Sequence, residues 1–438
     1  MTIPLLSVGF LLPVYVLTAL LAVVVVVRTR RSWHAHLVAI AVGAAVGAVA
    51  SWWFGDVLDV LGIAPTWVDR IWTGIACALL GTALVGLVRA RRIGKVVASV
   101  LVPLVVLSTA VAINRDAGLF PTVADALGRS SVTALRLPTA PAPSGRPVDA
   151  SSWHPPAEMP EHGRYGSVRI PGTASHFPAR PAIVWLPPAA LVDHAPALPV
   201  VVMLSGQGPG AAPANVIEAG RMATRLDAVA AHHHGLAPIV VIPDQLAEAA
   251  NNPMCVDGPL GNSATYLTED VPAWIRTHLS VADGPRAWAI SGFSQGGTCA
   301  LQLGASAPDV FASLIDVSGQ LGPTLRGRAD TISRGFGGDA TAYDAAQPSR
   351  ILAERAPYRG SAAFFAVGAD DSRYGPVLPK TAAAAEAAGM HVTRRIVPAS
   401  GHDWHTAGVA LADGVRWFMG RTHLAPAGQS QRDVSPKR

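Results

Sequence analysis

The chain has 438 residues, half of them hydrophobic, and a formal net charge of +5 at neutral pH. This length is too great for one ordinary domain, so at least two parts are expected. The positive charge is confined to residues 1–113, which hold eight Lys/Arg and three Asp/Glu, whereas the remainder carries 26 of each sign. No basic stripe with interleaved aromatic side chains occurs in the sequence, which argues against nucleic acid as a partner.

Four apolar runs have the length of membrane-spanning helices, at residues 3–27, 37–54, 71–88 and 96–113. We therefore predict a four-helix transmembrane region over residues 1–113. The runs contain no ionisable side chain near their middles, which favours an anchor over a transporter, with partner binding or lipid presentation as the alternative. A cleaved signal peptide is the weaker interpretation of the first run, because no basic segment precedes it and no cleavage site is recognisable.

Two of the loops between these runs are rich in positive charge, and they contain Arg28, Arg30, Arg31, Arg89, Arg91, Arg92 and Lys95. The loop between the second and third runs is acidic instead. Loops rich in Arg and Lys stay in the cytoplasm. The sequence therefore predicts a multi-pass protein of the cell membrane, with everything after residue 113 outside the cytoplasm.

The remainder of the chain divides into three predicted parts. Residues 114–163 form a connector, with one short helix at 120–127 followed by a stretch rich in Pro, Ala and Ser that is typical of a semi-rigid linker. Residues 164–422 form a catalytic domain. Residues 423–438 form a polar, disordered tail.

Within the catalytic domain, short apolar runs alternate with helical patterns. The predicted strands are 167–170, 182–186, 198–204, 239–242, 287–290, 311–317, 362–367 and 392–397. The predicted helices are 216–231, 264–279, 298–303, 381–388 and 407–419. This alternation predicts an α/β fold with a mostly parallel sheet covered by helices on both faces. Residues 320–349 are predicted to be an irregular insertion that serves as a lid or substrate wall.

Three adjacent histidines, His232, His233 and His234, follow the predicted helix 216–231. A histidine triplet can indicate a metal site, but no carboxylate or cysteine stands nearby at ligand spacing. A solvated helix end is the better interpretation, and we expect neither a metal nor an organic cofactor.

The sequence from Arg286 to Leu303, RAWAISGFSQGGTCALQL, places Gly-x-Ser-x-Gly between a predicted strand and a predicted helix. This is the context of a nucleophile elbow, in which a serine stands on a tight strand-to-helix turn. Gly292 and Gly296 would allow the backbone to fold tightly around Ser294. The alternative is a Gly-Ser-rich loop without chemistry. With a strand before it and a helix after it, the pattern favours Ser294 as a nucleophile.

A serine nucleophile needs a general base and an acid that orients the base, and in folds with this elbow they follow in the order Ser, acid, His. Asp371 and His402 follow later predicted strands in that order. Asp370 competes as the acid, and Asp371 is preferred for its offset from the glycine that ends the strand. His405 and Asp403 are the local rivals of His402, which directly follows Gly401 at the strand exit.

An acyl-transfer site also needs donors for the developing oxyanion. The backbone amide of Gln295, directly after the nucleophile, is one candidate. The second is the backbone amide of Gln207, in the glycine-rich turn after the strand 198–204. The alternative for the latter is a simple turn.

The elbow and its partners resemble the α/β-hydrolase superfamily. The segment TYLTEDVPAWI at residues 265–275 is similar to the helix before the elbow in the esterase family that includes S-formylglutathione hydrolases and mycobacterial mycolyltransferases. Within that family the chain looks closest to actinobacterial esterases with N-terminal membrane helices. The resemblance covers residues 165–422. It implies an α/β-hydrolase fold, ester hydrolysis or acyl transfer, Ser294 as nucleophile, His402 as base and Asp371 as acid. In the mycolyltransferases the acid is a glutamate and the protein is secreted, and both features differ here.

The three cysteines have different expected roles. Cys77 lies inside a predicted membrane span and is expected to pack there. Cys255 and Cys299 would both face the oxidising exterior, where paired cysteines persist as disulfides. The sequence leaves two possibilities open for this pair, a Cys255–Cys299 disulfide or two buried free thiols, because sequence alone does not fix the geometry of the two side chains.

These observations predict a membrane-anchored extracytoplasmic serine esterase that acts on an ester or lipid-like substrate. Two alternatives remain open: an acyltransferase acting on cell-envelope lipids or sugars, and a non-catalytic envelope protein that uses the same fold for binding. The sequence names no protein partner.

Overall fold

The computed structural model describes residues 3–60, 62–137 and 148–425. The chain divides into two compact units, Met1–Ser130 and Ser131–Arg438. The helices of the first unit are α1 (Val8–Arg28), α2 (Trp33–Trp52, continued as a π-turn to Val57), α3 (Trp67–Arg89), α4 (Arg92–Ala117) and the short α5 (Val123–Ala126). The first part of the predicted connector therefore belongs to the helical unit, and residues 138–147 of the connector lie outside the described residues.

The four long helices of the first unit have the length and composition of membrane spans, and they cover the four predicted runs. The first helix starts later than predicted, at Val8, because the backbone before it pairs with a different segment: Leu5 N–H donates to Pro121 O at 2.8 Å. The second, third and fourth helices extend beyond the predicted runs at both ends. Most of the large apolar side chains that are exposed in the described residues belong to these four helices, as expected for surfaces facing lipid.

Close packing within the helical unit depends on small side chains. A Cβ atom on Gly43 or Gly47 of α2 would collide with the backbone of α3 around Gly74 and Cys77, so the two helices approach too closely for a larger residue. Thr18 of α1 and Ser108 of α4 share a buried hydroxyl–hydroxyl hydrogen bond of 2.8 Å. These two hydroxyl groups of the apolar bundle thus satisfy one another.

The second unit is built on one eight-stranded sheet with the order β1-β2-β4-β3-β5-β6-β7-β8. Its strands are β1 (Arg164–Val168), β2 (Ala182–Leu186), β3 (Val200–Leu204), β4 (Ile239–Ile242), β5 (Trp288–Phe293), β6 (Ser313–Val317), β7 (Ala362–Gly368) and β8 (His391–Val397). β1 is antiparallel to β2 and β2 is antiparallel to β4, whereas all later neighbours are parallel. The mostly parallel α/β sheet predicted from the sequence is confirmed.

The helices of this unit are α6 (Ala214–Glu218), α7 (Met222–His232), α8 (Ser263–Thr265), α9 (Val271–His278), α10 (Gln295–Ser306), α11 (Arg328–Asp330), α12 (Ala340–Ala345), α13 (Pro348–Arg355), α14 (Leu378–Ala387) and α15 (Trp404–Arg421). Five of them form two packed groups, one in which α10 and α14 both pack on α13 and another in which α15 packs on α7. Both groups contact the sheet. Every residue of the central strands β3 and β5 is buried, as expected for strands covered on both faces.

Three predicted boundaries in this unit need correction. The predicted helix 216–231 is two helices, because Gly220 lies against Trp404 and the next residue, Arg221, has a positive φ of 52°. The insertion 320–349 is less irregular than predicted, since it contains α11, a π-turn and α12. Leu424 and Ala425, which the prediction assigns to the polar tail, are buried. The predicted disordered residues 426–438 lie outside the described residues.

Candidate active site

The turn after β5 has the geometry of a nucleophile elbow. The strand ends at Phe293 and α10 begins at Gln295, so that Ser294 alone makes the turn with φ 58° and ψ −118°. A positive φ is strained for a residue other than glycine. The Ser294 N–H donates to Val317 O on β6 at 2.8 Å, which ties the turn to the neighbouring strand. The apolar run predicted as a strand over 287–290 therefore continues further, up to the serine itself.

The two glycines of the motif are required by close approach of the backbone. A Cβ atom on Gly292 would collide with the backbone of Gly296. A Cβ atom on Gly296 would collide with the carbonyl groups of Ser205 and Leu204, at the end of β3. The predicted role of these glycines in a tight turn thus has a direct steric cause, and the loop after β3 lies against the start of α10.

Three side chains predicted from the sequence come together at the elbow. His402 Nε2 lies 2.8 Å from Ser294 Oγ, and His402 Nδ1 lies 2.9 Å from Asp371 Oδ2. Ser294 is 8% exposed and Asp371 is 6% exposed. When Nδ1 carries the proton and donates it to the carboxylate, Nε2 is left to accept the hydrogen bond of the Ser294 hydroxyl.

The carboxyl group of Asp371 is held in its charged form. Burial raises its pKa, but the hydrogen bond and charge of His402 and the N–H of Tyr374, which donates to Oδ1 at 2.9 Å, outweigh burial, so the net pKa is below its ordinary value. Asp370, the rival, is exposed, and its backbone N–H donates to Ser400 O at 2.9 Å. Of the two adjacent aspartates, Asp371 is the one in contact with the imidazole.

The loop that presents His402 is fixed from several sides. The rings of Phe293 and Tyr374 lie 4.8 and 4.6 Å from the imidazole, and only 10% of the histidine side chain is exposed. Asp403 caps α15 by accepting the Thr406 N–H at 2.7 Å, and His405 is exposed on the first turn of that helix. The two local rivals of His402 therefore point elsewhere.

The predicted oxyanion residues flank the nucleophile. A Cβ atom on Gly206 would lie 3.4 Å from Ser294 Cβ, so the loop that carries Gln207 runs directly beside the serine. Gln295 is the first residue of α10, where helix N–H groups have no partner within the helix. Gln295 is thus adjacent to Ser294 in the chain, and Gln207 directly follows the glycine that lies beside the serine.

A network of side-chain amides, buried at Gln245 and Gln295 and reaching the surface at Gln207, connects these two residues and was not predicted from the sequence. Gln245 Nε2 donates to Ser205 O at 2.7 Å and to Gln295 Oε1 at 3.1 Å. Asn252 Nδ2 donates to Gln207 Oε1 at 2.7 Å, and Asn252 Oδ1 accepts from Gln295 Nε2 at 3.0 Å. In the sequence, the feature that could have indicated this network is the cluster of Gln245, Asn251 and Asn252 in the long loop after β4.

The structure joins Cys255 and Cys299 in a disulfide, with the two Cα atoms 5.5 Å apart. The bond attaches the loop after β4 to the second turn of α10, one turn beyond the nucleophile. Cys77 is half-buried in α3 and is not bonded to either of them. His232 ends α7, and no cluster of three His, Cys, Asp or Glu side chains in the described ranges could hold a metal ion.

Asp316 is a second carboxyl group near the site. It lies on β6 opposite Gly292, and its Oδ1 accepts the Gly319 N–H at 2.9 Å. Burial raises the pKa of Asp316 to about 7, with the Gly319 hydrogen bond acting in the opposite direction. An aspartate inside the apolar run 311–317 was the sequence signal for this buried group.

The fold and the elbow together define an α/β-hydrolase. Residues 179–418 match the model of a family described as "Putative esterase". An uncharacterized protein of Corynebacterium glutamicum is 34% identical over 297 residues, which are 66% of this chain and 69% of that protein. The chain belongs to this esterase family, as the sequence resemblance predicted.

Two solved structures are similar to the second unit of the chain, and the first of them shares its fold. A ferulic acid esterase superposes with a TM-score of 0.50 at 19% identity, covering 61% of this chain and all of that one. An S-formylglutathione hydrolase from Agrobacterium tumefaciens gives a TM-score of 0.49 at 21% identity, covering 60% of this chain and 98% of that one. At this level of identity the likeness concerns the fold.

Proposed function

We propose that the protein is a membrane-anchored serine esterase that hydrolyses carboxylic esters through Ser294, His402 and Asp371. The observation that carries the proposal is the position of His402, whose two ring nitrogens lie 2.8 Å from the serine hydroxyl and 2.9 Å from the carboxylate. Membership of an esterase family supports an ester as the substrate.

In the proposed reaction, Ser294 Oγ attacks the ester carbonyl carbon while His402 Nε2 takes the hydroxyl proton. The carbonyl oxygen becomes an oxyanion that accepts hydrogen bonds from the backbone amides of Gln207 and Gln295. When the C–O bond to the alcohol breaks, His402 returns the proton to the leaving oxygen and an acyl-serine remains. Water, deprotonated by the same imidazole, then releases the acid and restores Ser294.

Asp371 has a supporting role in this sequence. Its low pKa keeps it charged, so it holds the proton of His402 on Nδ1 and stabilises the imidazolium that forms in each half-reaction. The rings of Phe293 and Tyr374 cover the imidazole and limit its contact with water. Electrostatic interactions within the site are stronger in such a dry environment.

We also propose that the catalytic unit lies outside the cytoplasm. The two basic turns, after α1 and after α3, lie at one end of the helical bundle, since a Cβ atom on Gly94 would be 3.8 Å from the Arg28 side chain. The positive-inside rule assigns that end to the cytoplasm. The Cys255–Cys299 disulfide favours the oxidising side for the catalytic unit. A periplasm-dependent reporter fused after Ser130 should be active, and activity of a cytoplasm-dependent reporter there would contradict this orientation.

The test of the activity is hydrolysis of a short-chain p-nitrophenyl ester by the detergent-purified protein. Ser294→Ala should lower kcat by several orders of magnitude. The matched control is Ser291→Ala, on the same strand, whose buried hydroxyl lies 3.4 Å from Val202 O and touches none of the three proposed groups. Undiminished hydrolysis by folded Ser294→Ala would contradict the proposed nucleophile, whereas absence of hydrolysis by the folded wild-type protein would favour a binding role.

Product analysis with added sugar alcohols defines the acyl acceptor. The acyl-serine proposed here can pass its acyl group to water or to an alcohol, because both present a hydroxyl that His402 can deprotonate. Free acid as the dominant product supports hydrolysis. Esterified sugar alcohol as the dominant product would replace the hydrolase proposal with an acyltransferase.

A further inference from the structure

Asn252 connects the two residues that we propose as the donors of the oxyanion hole, Gln207 and Gln295. Its Nδ2 donates to Gln207 Oε1 at 2.7 Å, and its Oδ1 accepts from Gln295 Nε2 at 3.0 Å. One carboxamide therefore holds the side chains of both residues. Gln207 follows β3 and Gln295 begins α10, so the contact bridges two separate elements of the fold.

The other side of Gln295 is held in the same way. Gln245 Nε2 donates both to Gln295 Oε1 and to the carbonyl of Ser205, two residues before Gln207. Gln245 is fully buried and Gln295 is 2% exposed. The carboxamide of Gln295 is thus fixed at both its oxygen and its nitrogen, which sets the orientation of the first residue of α10.

The loop after β3 needs such an attachment. Gln207 is exposed, and it is followed by Gly208 and Gly210, whose φ angles are 132° and 70°. Glycine in this region permits many backbone conformations. Without a partner for the Gln207 side chain, the amide of that residue is free to turn away from the serine.

Asn252 is itself anchored to α10. Three residues later in the chain, Cys255 is bonded to Cys299, and Gln302 Nε2 donates to Cys255 O at 3.0 Å. Asn252 Oδ1 also accepts the Met254 N–H at 3.0 Å, which orients the carboxamide within its loop. The disulfide therefore fixes Asn252 to the same helix that carries Gln295.

We propose that Asn252 is the positioning residue of the oxyanion hole, and that the Cys255–Cys299 disulfide holds it in place. This inference rests on the proposed esterase function. Asn252 does not touch the reacting atoms in this account. It acts by keeping the amides of Gln207 and Gln295 directed at the position where the oxyanion forms, and donors that are fixed in advance stabilise the transition state more than the substrate.

The test compares Asn252→Ala with Asn251→Ala in steady-state hydrolysis of the same p-nitrophenyl ester. Asn251 is the matched control, because its Nδ2 donates to Leu246 O at 3.0 Å and to Leu260 O at 3.1 Å in the same loop, without contact to either glutamine. Asn252→Ala should lower kcat by about tenfold to a hundredfold, with KM changed by less than about threefold. Asn251→Ala should keep kcat within about threefold.

A double mutant separates positioning from a general loss of structure. Gln207→Met removes one of the two acceptors of Asn252 Nδ2, the other being Thr324 O at 3.3 Å, and keeps the backbone amide of residue 207. If Asn252 acts through Gln207, the loss of kcat in the double variant should not exceed the loss in Asn252→Ala. Reduction of the disulfide should lower kcat of the wild-type protein and have a smaller effect on Asn252→Ala. A trifluoromethyl ketone, which forms a tetrahedral adduct with serine, should bind Asn252→Ala more weakly by the same factor as the loss in kcat/KM.

Two results would overturn the positioning role alone. The first is a kcat of Asn252→Ala equal to that of wild type while Ser294→Ala is inactive. The second is an equal loss of kcat in Asn252→Ala and Asn251→Ala that parallels a loss of melting temperature in both variants. Undiminished activity of Ser294→Ala would instead overturn the esterase proposal together with it.

Discussion

Replacing Asp371 by asparagine should disable the site without removing any volume from it. The carboxylate accepts the Nδ1 proton of His402 across 2.9 Å and is only 6% exposed, so water cannot take its place. An amide NH₂ directed at Nδ1 would favour the tautomer whose proton is on Nε2, facing Ser294 Oγ across 2.8 Å. The base would then have no lone pair for the serine. Losses of this kind lower kcat by about 10²–10⁴, equivalent to about 3–5 kcal/mol of barrier.

Asp370→Asn is the matched control, because it makes the same chemical change one residue away. Asp370 is exposed, and its contact with the site is a backbone hydrogen bond to Ser400 O that the substitution keeps. Its kcat should stay within about threefold of wild type. The assay is steady-state hydrolysis by the two variants at equal folded concentration. A disabled Asp370→Asn beside an active Asp371→Asn would refute the assignment of the acid.

Three further predictions concern the nucleophile, the buried carboxyl group and the disulfide. Ser294→Ala and His402→Ala should each cost several orders of magnitude in kcat, and the double variant should lose little more, because the two act as a unit. Asp316 has a folded pKa of about 7, above the value of about 3.9 for an unfolded aspartate, so the folded state loses stability as pH rises through that window. Relative to wild type, the free energy of unfolding of Asp316→Asn should therefore rise by about 2 kcal/mol between pH 5 and pH 7. A difference in unfolding free energy that does not change with pH would contradict this. Thiol labelling of denatured, unreduced protein should find neither Cys255 nor Cys299 free, and loss of their bond should cost about 2–4 kcal/mol.

The structure could be predicted from the sequence where a local pattern has a single steric or hydrophobic cause. The continuous apolar runs of β2 and β4 predicted strands with the observed bounds, Ala182–Leu186 and Ile239–Ile242. Gly292 and Gly296 predicted a tight turn because only glycine fits where the backbone of one segment touches another. The alternation of strands and helices likewise predicted a mostly parallel sheet, since parallel strands need helical crossovers.

The remaining features depend on contacts between distant segments. The break between α6 and α7 follows from the approach of Trp404 to Gly220, which no local periodicity records. The amide contacts of Asn252 join residues 45 positions apart and 43 positions apart in the chain. Sequence spacing gives no information on such pairs, because the loop after β4 has no regular structure from which its side-chain directions could be predicted.

The central claim is that Ser294 carries the acyl group during turnover. The most direct measurement is rapid acid quenching of the purified full-length chain during hydrolysis of a p-nitrophenyl ester, followed by peptide mass spectrometry of the acylated protein. We expect acyl groups on the wild-type peptide that contains Ser294 and none on the same peptide of Ser294→Ala. In His402→Ala acylated with a reactive ester, the acyl group should accumulate on Ser294, because the base that activates water is missing. Turnover with the acyl group on another residue, or with Ser294 never modified, would contradict it.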